Sequence, residues 1–286
     1  MRRRLLIGVA LAALLTGCGG SEQEQTFTGV PVEDPGPIHV HGLRLDPHTR
    51  TLYIATHTGL WQLPEGQAKA TRITDRRQDT MGFTLVRSGL FLGSGHPDLR
   101  EAKPDLPPLL GLIKSSDNGQ TWQQISLLGK ADFHVLRSAG SSIYGFDSTH
   151  NQLMQSDNGG TNWRKSKVPE PLLDLAIDPA DAKHLIASGE VALYESKNAG
   201  QVWHLLGTTP GYLAWPTAKR LYLFQPGGAV QFSDSPTKRF KQLGSIGGTL
   251  HAVLVTSEKE MYAAIDGGTI KRSLDGGRTW QVRARP

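Results

Sequence analysis

Cysteine is almost absent: the chain has one, Cys18, so no disulfide can form within it. A long hydrophobic run is also missing. The apolar stretch near the start, Leu5 to Leu15, is too short for an ordinary membrane span. Nor is there a strong charge of one sign. The formal net charge is +5, but Arg2, Arg3 and Arg4 precede the apolar stretch and positions 1–17 hold no acid. The remainder carries about 28 basic against 26 acidic residues, which removes the compositional argument for nucleic acid. What is there suits a globular chain with a sizeable core, 38% hydrophobic and 20% charged. Thirty-three glycines and 17 prolines fit many tight turns.

The first eighteen residues, MRRRLLIGVALAALLTGC, place a basic segment before the apolar stretch and end in Leu15-Thr16-Gly17-Cys18. This ending resembles the lipobox of bacterial lipoproteins. The resemblance implies that 1–17 is a cleaved signal peptide and that Cys18 is the lipidated first residue. It also implies a membrane anchor in the bacterial cell envelope. Gly19, where Asp would retain a protein at the inner membrane, points to the outer membrane facing the periplasm. Residues 18–37, with GGSEQEQTFTG, read as a flexible tether. Residues 38–286 are left for the folded domain.

That domain repeats itself. SSDNGQTW (115–122) and SLDGGRTW (273–280) share S-x-D-x-G-x-T-W. SKNAGQVW (196–203) is a variant, SDNGGTNW (156–163) carries one extra residue, and SDSPTKRF (233–240) is degenerate. The closing aromatics fall at 122, 163, 203, 240 and 280, so the period is close to 40. Each unit also holds an apolar stretch and a second strand: LYIA (52–55), LFLG (90–93), IYGF (143–146), HLIA (184–187), LYLF (221–224) and MYAA (261–264). The first unit lacks the motif and the second carries an insertion at 95–111. Four short strands per unit predict an all-β, six-bladed β-propeller with four-stranded blades. Five or seven blades are the alternatives if the first unit or the tether is misread.

The repeated motif resembles the Asp-box, or bacterial neuraminidase repeat. It is found in sialidase-like and sortilin-like propellers and in photosystem II assembly factors. The resemblance implies a structural turn between the third and fourth strands of a blade. Asp and Gly fold the turn, Ser and Thr bond the backbone, and Trp fills the gap between sheets. Asp117 and Asp275 are then turn residues and not catalysts.

Against this frame the stretch IHVHGL (38–43) stands out, because inner strands should be apolar. When the units are aligned on the second-strand aromatic, His41, Met81, His134 and His251 share one register. Leu173 or Asp174 takes the place in the fourth unit and Tyr212 in the fifth. His39, Asp79, Asp132 and Thr249 lie two residues earlier, on the same strand face. In a propeller the second strand ends where the first begins, so His57 and His96 join this mouth. The insertion 95–111 lies beside it as a shaped loop without regular structure that could serve as a lid.

Imidazole is the commonest metal ligand, and His with Met selects copper over hard ions, with zinc the alternative. His39, His41, His134 and His251 are therefore the candidate metal ligands, Met81 a soft one, and His57 and His96 contributors at the rim. Asp79 and Asp132 are candidate partners that fix histidine tautomers. The remaining histidines, His48, His150, His184 and His204, read as surface or edge residues, and Met154 and Met261 as packing. Two other functions stay open. A glycoside hydrolase would use the carboxylate pair Asp79 and Asp132. A sialidase proper would need an arginine triad and an Arg-Ile-Pro motif, whereas the first unit reads IHVHGLRLDP with Arg44 its single inner-strand arginine. The third reading is a non-catalytic scaffold that binds an envelope protein or a glycan.

Overall fold

The computed structural model describes residues 34, 36–101, 106–236 and 238–285. The readings of 1–17 and Cys18 therefore lie outside the described residues, as does most of the tether. Six four-stranded antiparallel sheets follow one another along the chain, each built from consecutive strands. Their innermost strands are Val40–Leu45, Asp79–Arg87, Phe133–Ala139, Leu172–Ile177, Tyr212–Thr217 and Leu250–Val255. Each touches the inner strand of the next blade, and the last touches the first, which closes the ring. The fold is a six-bladed β-propeller. Among the described residues no helix is long and apolar enough to cross a membrane.

The second strands explain why blades pack face to face. Leu52–Thr56 and Leu185–Gly189 are buried at every residue, because both faces of each sheet are covered. The hydrophobic core is accordingly six clusters, each shared by two adjacent blades. Tyr53, Leu92, Tyr144, Ile186, Tyr222 and Tyr262 occupy equivalent places and are almost wholly buried. Burial of each such side chain stabilises by about 1.5–3 kcal/mol. Three tyrosine hydroxyls are satisfied at the far end: Tyr53 donates to Asn118, Tyr144 to the Ala182 carbonyl and Tyr262 to Glu260.

The repeated turns join the third and fourth strands and clamp neighbouring blades. Ser156 Oγ accepts the Gly160 N–H at 3.0 Å, and Ser115, Ser196 and Ser273 do the same for Gly119, Gly200 and Gly277. Asp117 accepts from the Thr121 N–H at 2.9 Å and from its hydroxyl at 2.6 Å, and Asp275 binds Thr279 likewise. Gly160 shows why the motif needs glycine. Its φ is 85°, and a Cβ there would stand 2.0 Å from Leu112 Cδ2 of the preceding blade. Asp117 and Asp275 are thus engaged in turns at the face opposite the starts of the inner strands.

One irregularity recurs where the histidines sit. In five blades the inner strand carries a β-bulge near its start, where one residue has no partner on the second strand. The bulged residues are His41, His134, Leu173 and His251, with Met81 and Gly82 together opposite one residue in blade 2. A bulge re-aims its side chain out of the pleat.

Candidate metal centre

His41 enters the axial channel at its bulge in blade 1. It lines a cavity of about 40 Å³ together with Met81 and His134, the bulge residues of the next two blades. His57 sits just beyond the end of the second strand of blade 1, and its ring lies 4.4 Å from that of His41, edge to face. Asp79 opens the inner strand of blade 2 and faces both. Its Oδ2 lies 2.8 Å from His57 Nδ1, and its Oδ1 lies 3.5 Å from His41 Nε2. The ligand atoms of these three side chains all fall within 4.8 Å of one another. His41 Nε2 and Asp79 Oδ1 are both buried, and neither has a hydrogen-bond partner among the described residues.

The electrostatics follow from that geometry. Burial lowers the His41 pKa below its ordinary value, against the pull of Asp79, so the ring is neutral near pH 7. The hydrogen bond to Asp79 raises the pKa of the more exposed His57. Burial alone would raise the Asp79 carboxyl, but the two imidazoles outweigh it and hold it well below the usual carboxylate range. Asp79 is therefore an anion between two histidines. Neutral imidazole and carboxylate are both metal-ligand forms.

The same three positions recur one blade on. Met81 at the bulge, His96 at the end of the second strand and Asp132 before the next inner strand replace His41, His57 and Asp79. His134 Nε2 lies 2.8 Å from Asp132 Oδ2, and His96 Nε2 lies 3.6 Å from it. His96 Nδ1 is 2.9 Å from the Pro108 carbonyl, which ties this ring to the insertion. Asp132 Oδ1 is again buried without a partner among the described residues. In the insertion itself Asp98 is buried and accepts from the Arg77 N–H and from Arg100, which also reaches Asp75. A short 3-10 turn, Leu99–Glu101, replaces the expected absence of regular structure.

Two predicted residues stand apart from these groups. His251 occupies its bulge, but its Nε2 lies 3.1 Å from Asp266 Oδ1, and the axial cavity is lined instead by Ala252 and Val253. His39 is exposed at the rim with φ of 51°, its ring 5.0 Å from that of His57. Among the supposed surface histidines, His184 departs from expectation. It is only 16% exposed and bridges Asp178 and Glu195 at 2.9 Å each, with its ring against Trp215. The sequence reading also missed Arg137 and the pairing role of Asp174, which meet beside Arg44 on the axis. A signal was present: Arg44 and Arg137 each follow a bulge histidine by three residues.

No family model matches the chain, and no curated protein does. Solved structures do. YCF48 bound to D1 peptide is 17% identical with a TM-score of 0.55, over 85% of this chain and 81% of that one. The structure of the nidogen/laminin complex gives 15% identity and 0.63, over 82% and 93%. The GH74 xyloglucanase from Xanthomonas campestris gives 16% and 0.58 over 85% of this chain, which spans only 45% of that enzyme. At such identity the likeness is one of fold.

Proposed function

We propose that this propeller binds a transition-metal ion on His41, His57 and Asp79, with copper the preferred metal and zinc the alternative. The observation that carries the reading is the pair of buried, unpartnered atoms, His41 Nε2 and Asp79 Oδ1, which converge with the His57 ring. Their mutual contact is too long for a good hydrogen bond, and a shared cation would satisfy both atoms. At metal–ligand distances of about 2.0–2.1 Å, tetrahedral donors stand roughly 3.3 Å apart, so the 3.5 Å separation needs little adjustment. Met81, which lines the same cavity as His41 and His134, adds the soft donor that favours copper. His39, whose ring lies 5.0 Å from that of His57, is an outer contributor in this reading, and His251 is not part of it. From its first eighteen residues alone, we also read the chain as exported and lipid-anchored through Cys18, facing the periplasm.

The glycosidase alternative needs one protonated and one ionised carboxyl; Asp79 is held ionised, so it would be the base or nucleophile of that reading and Asp132 the acid. A scaffold role draws support from similar propellers solved with a D1 peptide and with laminin, and it is compatible with a metal site. The test is a copper and zinc titration of the folded domain, with metal content measured after gel filtration. One tightly held equivalent is expected in the wild type, lost in His41→Ala with His134→Ala although circular dichroism is unchanged. Equal metal content in the double variant would refute the assignment. Turnover of aryl glycosides, abolished by Asp79→Asn or Asp132→Asn, would favour the enzyme instead.

A further inference from the structure

The axial channel has a second chamber that the metal reading does not use. It lies at the far ends of the inner strands, on the face of the repeated turns, and is lined by residues from all six blades. Its volume is about 360 Å³, within the range of about 300–1,000 Å³ typical of small-molecule pockets. Arg44 and Arg137 line both chambers, so they form the floor between them.

Their charges are not balanced. Arg137 is paired with Asp174 and also donates to the Leu136 and Leu175 carbonyls. The Asp174 carboxylate is further occupied by the N–H groups of Leu175 and Leu213, at 2.7 and 2.8 Å. Arg44 donates to the Leu43 carbonyl at 2.7 Å and makes no ion pair among the described residues. Two guanidinium groups thus share one carboxylate inside the ring. Burial, reinforced by Arg137, lowers the Arg44 pKa to about 9, as expected for an uncompensated cation. A guanidinium presents a planar fork that matches a carboxylate, and pairing within a low-dielectric channel would offset its desolvation. The chamber walls above it mix apolar side chains, including Leu85, Ile177, Trp215 and Val255, with polar surface to which the arginines, Thr84 and Ser138 belong. The apolar side chains offer contact to a hydrocarbon body, and the polar surface suits a single charged head group.

We infer that this chamber is a binding site for a small organic carboxylate, held by Arg44 and Arg137 with its apolar body towards the turn face. The inference is independent of the metal site. Benzoate is the probe, benzamide the neutral control and sodium phosphate the inorganic one, read by calorimetry and by thermal unfolding. Benzoate is expected to bind and raise the melting temperature, benzamide and phosphate to do neither. Arg44→Met should abolish the benzoate effect, yet unfold without ligand at the same or a higher temperature, because it removes an unbalanced charge. Arg44→Lys should keep weakened binding. The copper titration should be unchanged in Arg44→Met, which separates the two sites. The inference is overturned if benzamide matches benzoate, if phosphate alone binds, if Arg44→Met retains the effect, or if that variant unfolds several degrees lower.

Discussion

At His41 two demands oppose each other: burial favours a neutral ring, while the carboxylate of Asp79 favours a charged one. Burial prevails, which leaves an imidazole of the form that ligates metals. Replacing a direct ligand should cost more than the ten- to hundredfold typical of the groups behind one. Asp79→Asn is therefore expected to weaken copper at least about 100-fold in a competition titration, and comparable affinity would exclude Asp79 as a ligand. Met81→Leu conserves volume, so the fold should hold. It should lower Cu(I) affinity about tenfold and leave zinc unchanged. At this scale the sequence was partly legible. The histidines and Met81 could be read from alternation and repeat, because a polar residue on a buried strand is conspicuous. The place of Asp79 between His41 and His57 could not, since it depends on the approach of blade 2 to blade 1. The Arg44–Asp174–Arg137 arrangement was hidden for the same reason.

Among the elements, the turns were the most legible and the bulges the least. A turn is a local device, and its Ser, Asp, Gly and Trp stand at fixed spacing because each bonds within a few residues. A bulge depends on the partner strand. His41, Met81, His134 and His251 precede their second-strand aromatics by 12, 10, 10 and 11 residues, and those unequal offsets come largely from hairpin length. Gly160 and Gly159 offer a clean test of the turn. Both have positive φ, but only Gly160 lies against the preceding blade, whereas nothing stands within 4 Å of a Cβ at Gly159. Gly160→Ala should cost about 2–4 kcal/mol in denaturant unfolding and Gly159→Ala about 1 kcal/mol. Equal losses would mean that backbone strain, and not contact between blades, sets the requirement.

In the whole molecule, closure is the vulnerable step, because every blade is made of consecutive strands and none is shared between the chain ends. Blades 6 and 1 are held by one core cluster and a polar network centred on Glu260. Arg50, Arg272, Tyr262 and Thr256 all donate to it, and Arg272 also reaches Glu65. Burial would raise the Glu260 carboxyl, but these donors outweigh it and hold it at about 2. The folded pKa is lowered, so this stabilisation is complete above the unfolded value near 4.5 and is lost as pH falls towards 2. Glu260→Ala should cost about 1.5–3 kcal/mol at pH 7, because it removes the network's charged acceptor while both arginines keep Glu65. It should also flatten the loss of melting temperature between pH 4.5 and 2. An unchanged acid profile by scanning calorimetry would place the acid-sensitive contact elsewhere. The closed ring itself was legible from the 40-residue period, since units that cannot bury both faces alone must stack.

The central claim is that the packing of blade 2 against blade 1 brings His41, His57 and Asp79 around one metal ion. Anomalous diffraction at the copper edge, from crystals of the copper-loaded domain, tests it most directly. The account predicts one dominant peak about 2.0–2.1 Å from His41 Nε2, with His57 and Asp79 completing the ligands. A peak placed on other side chains, or none at this mouth of the channel, would contradict it.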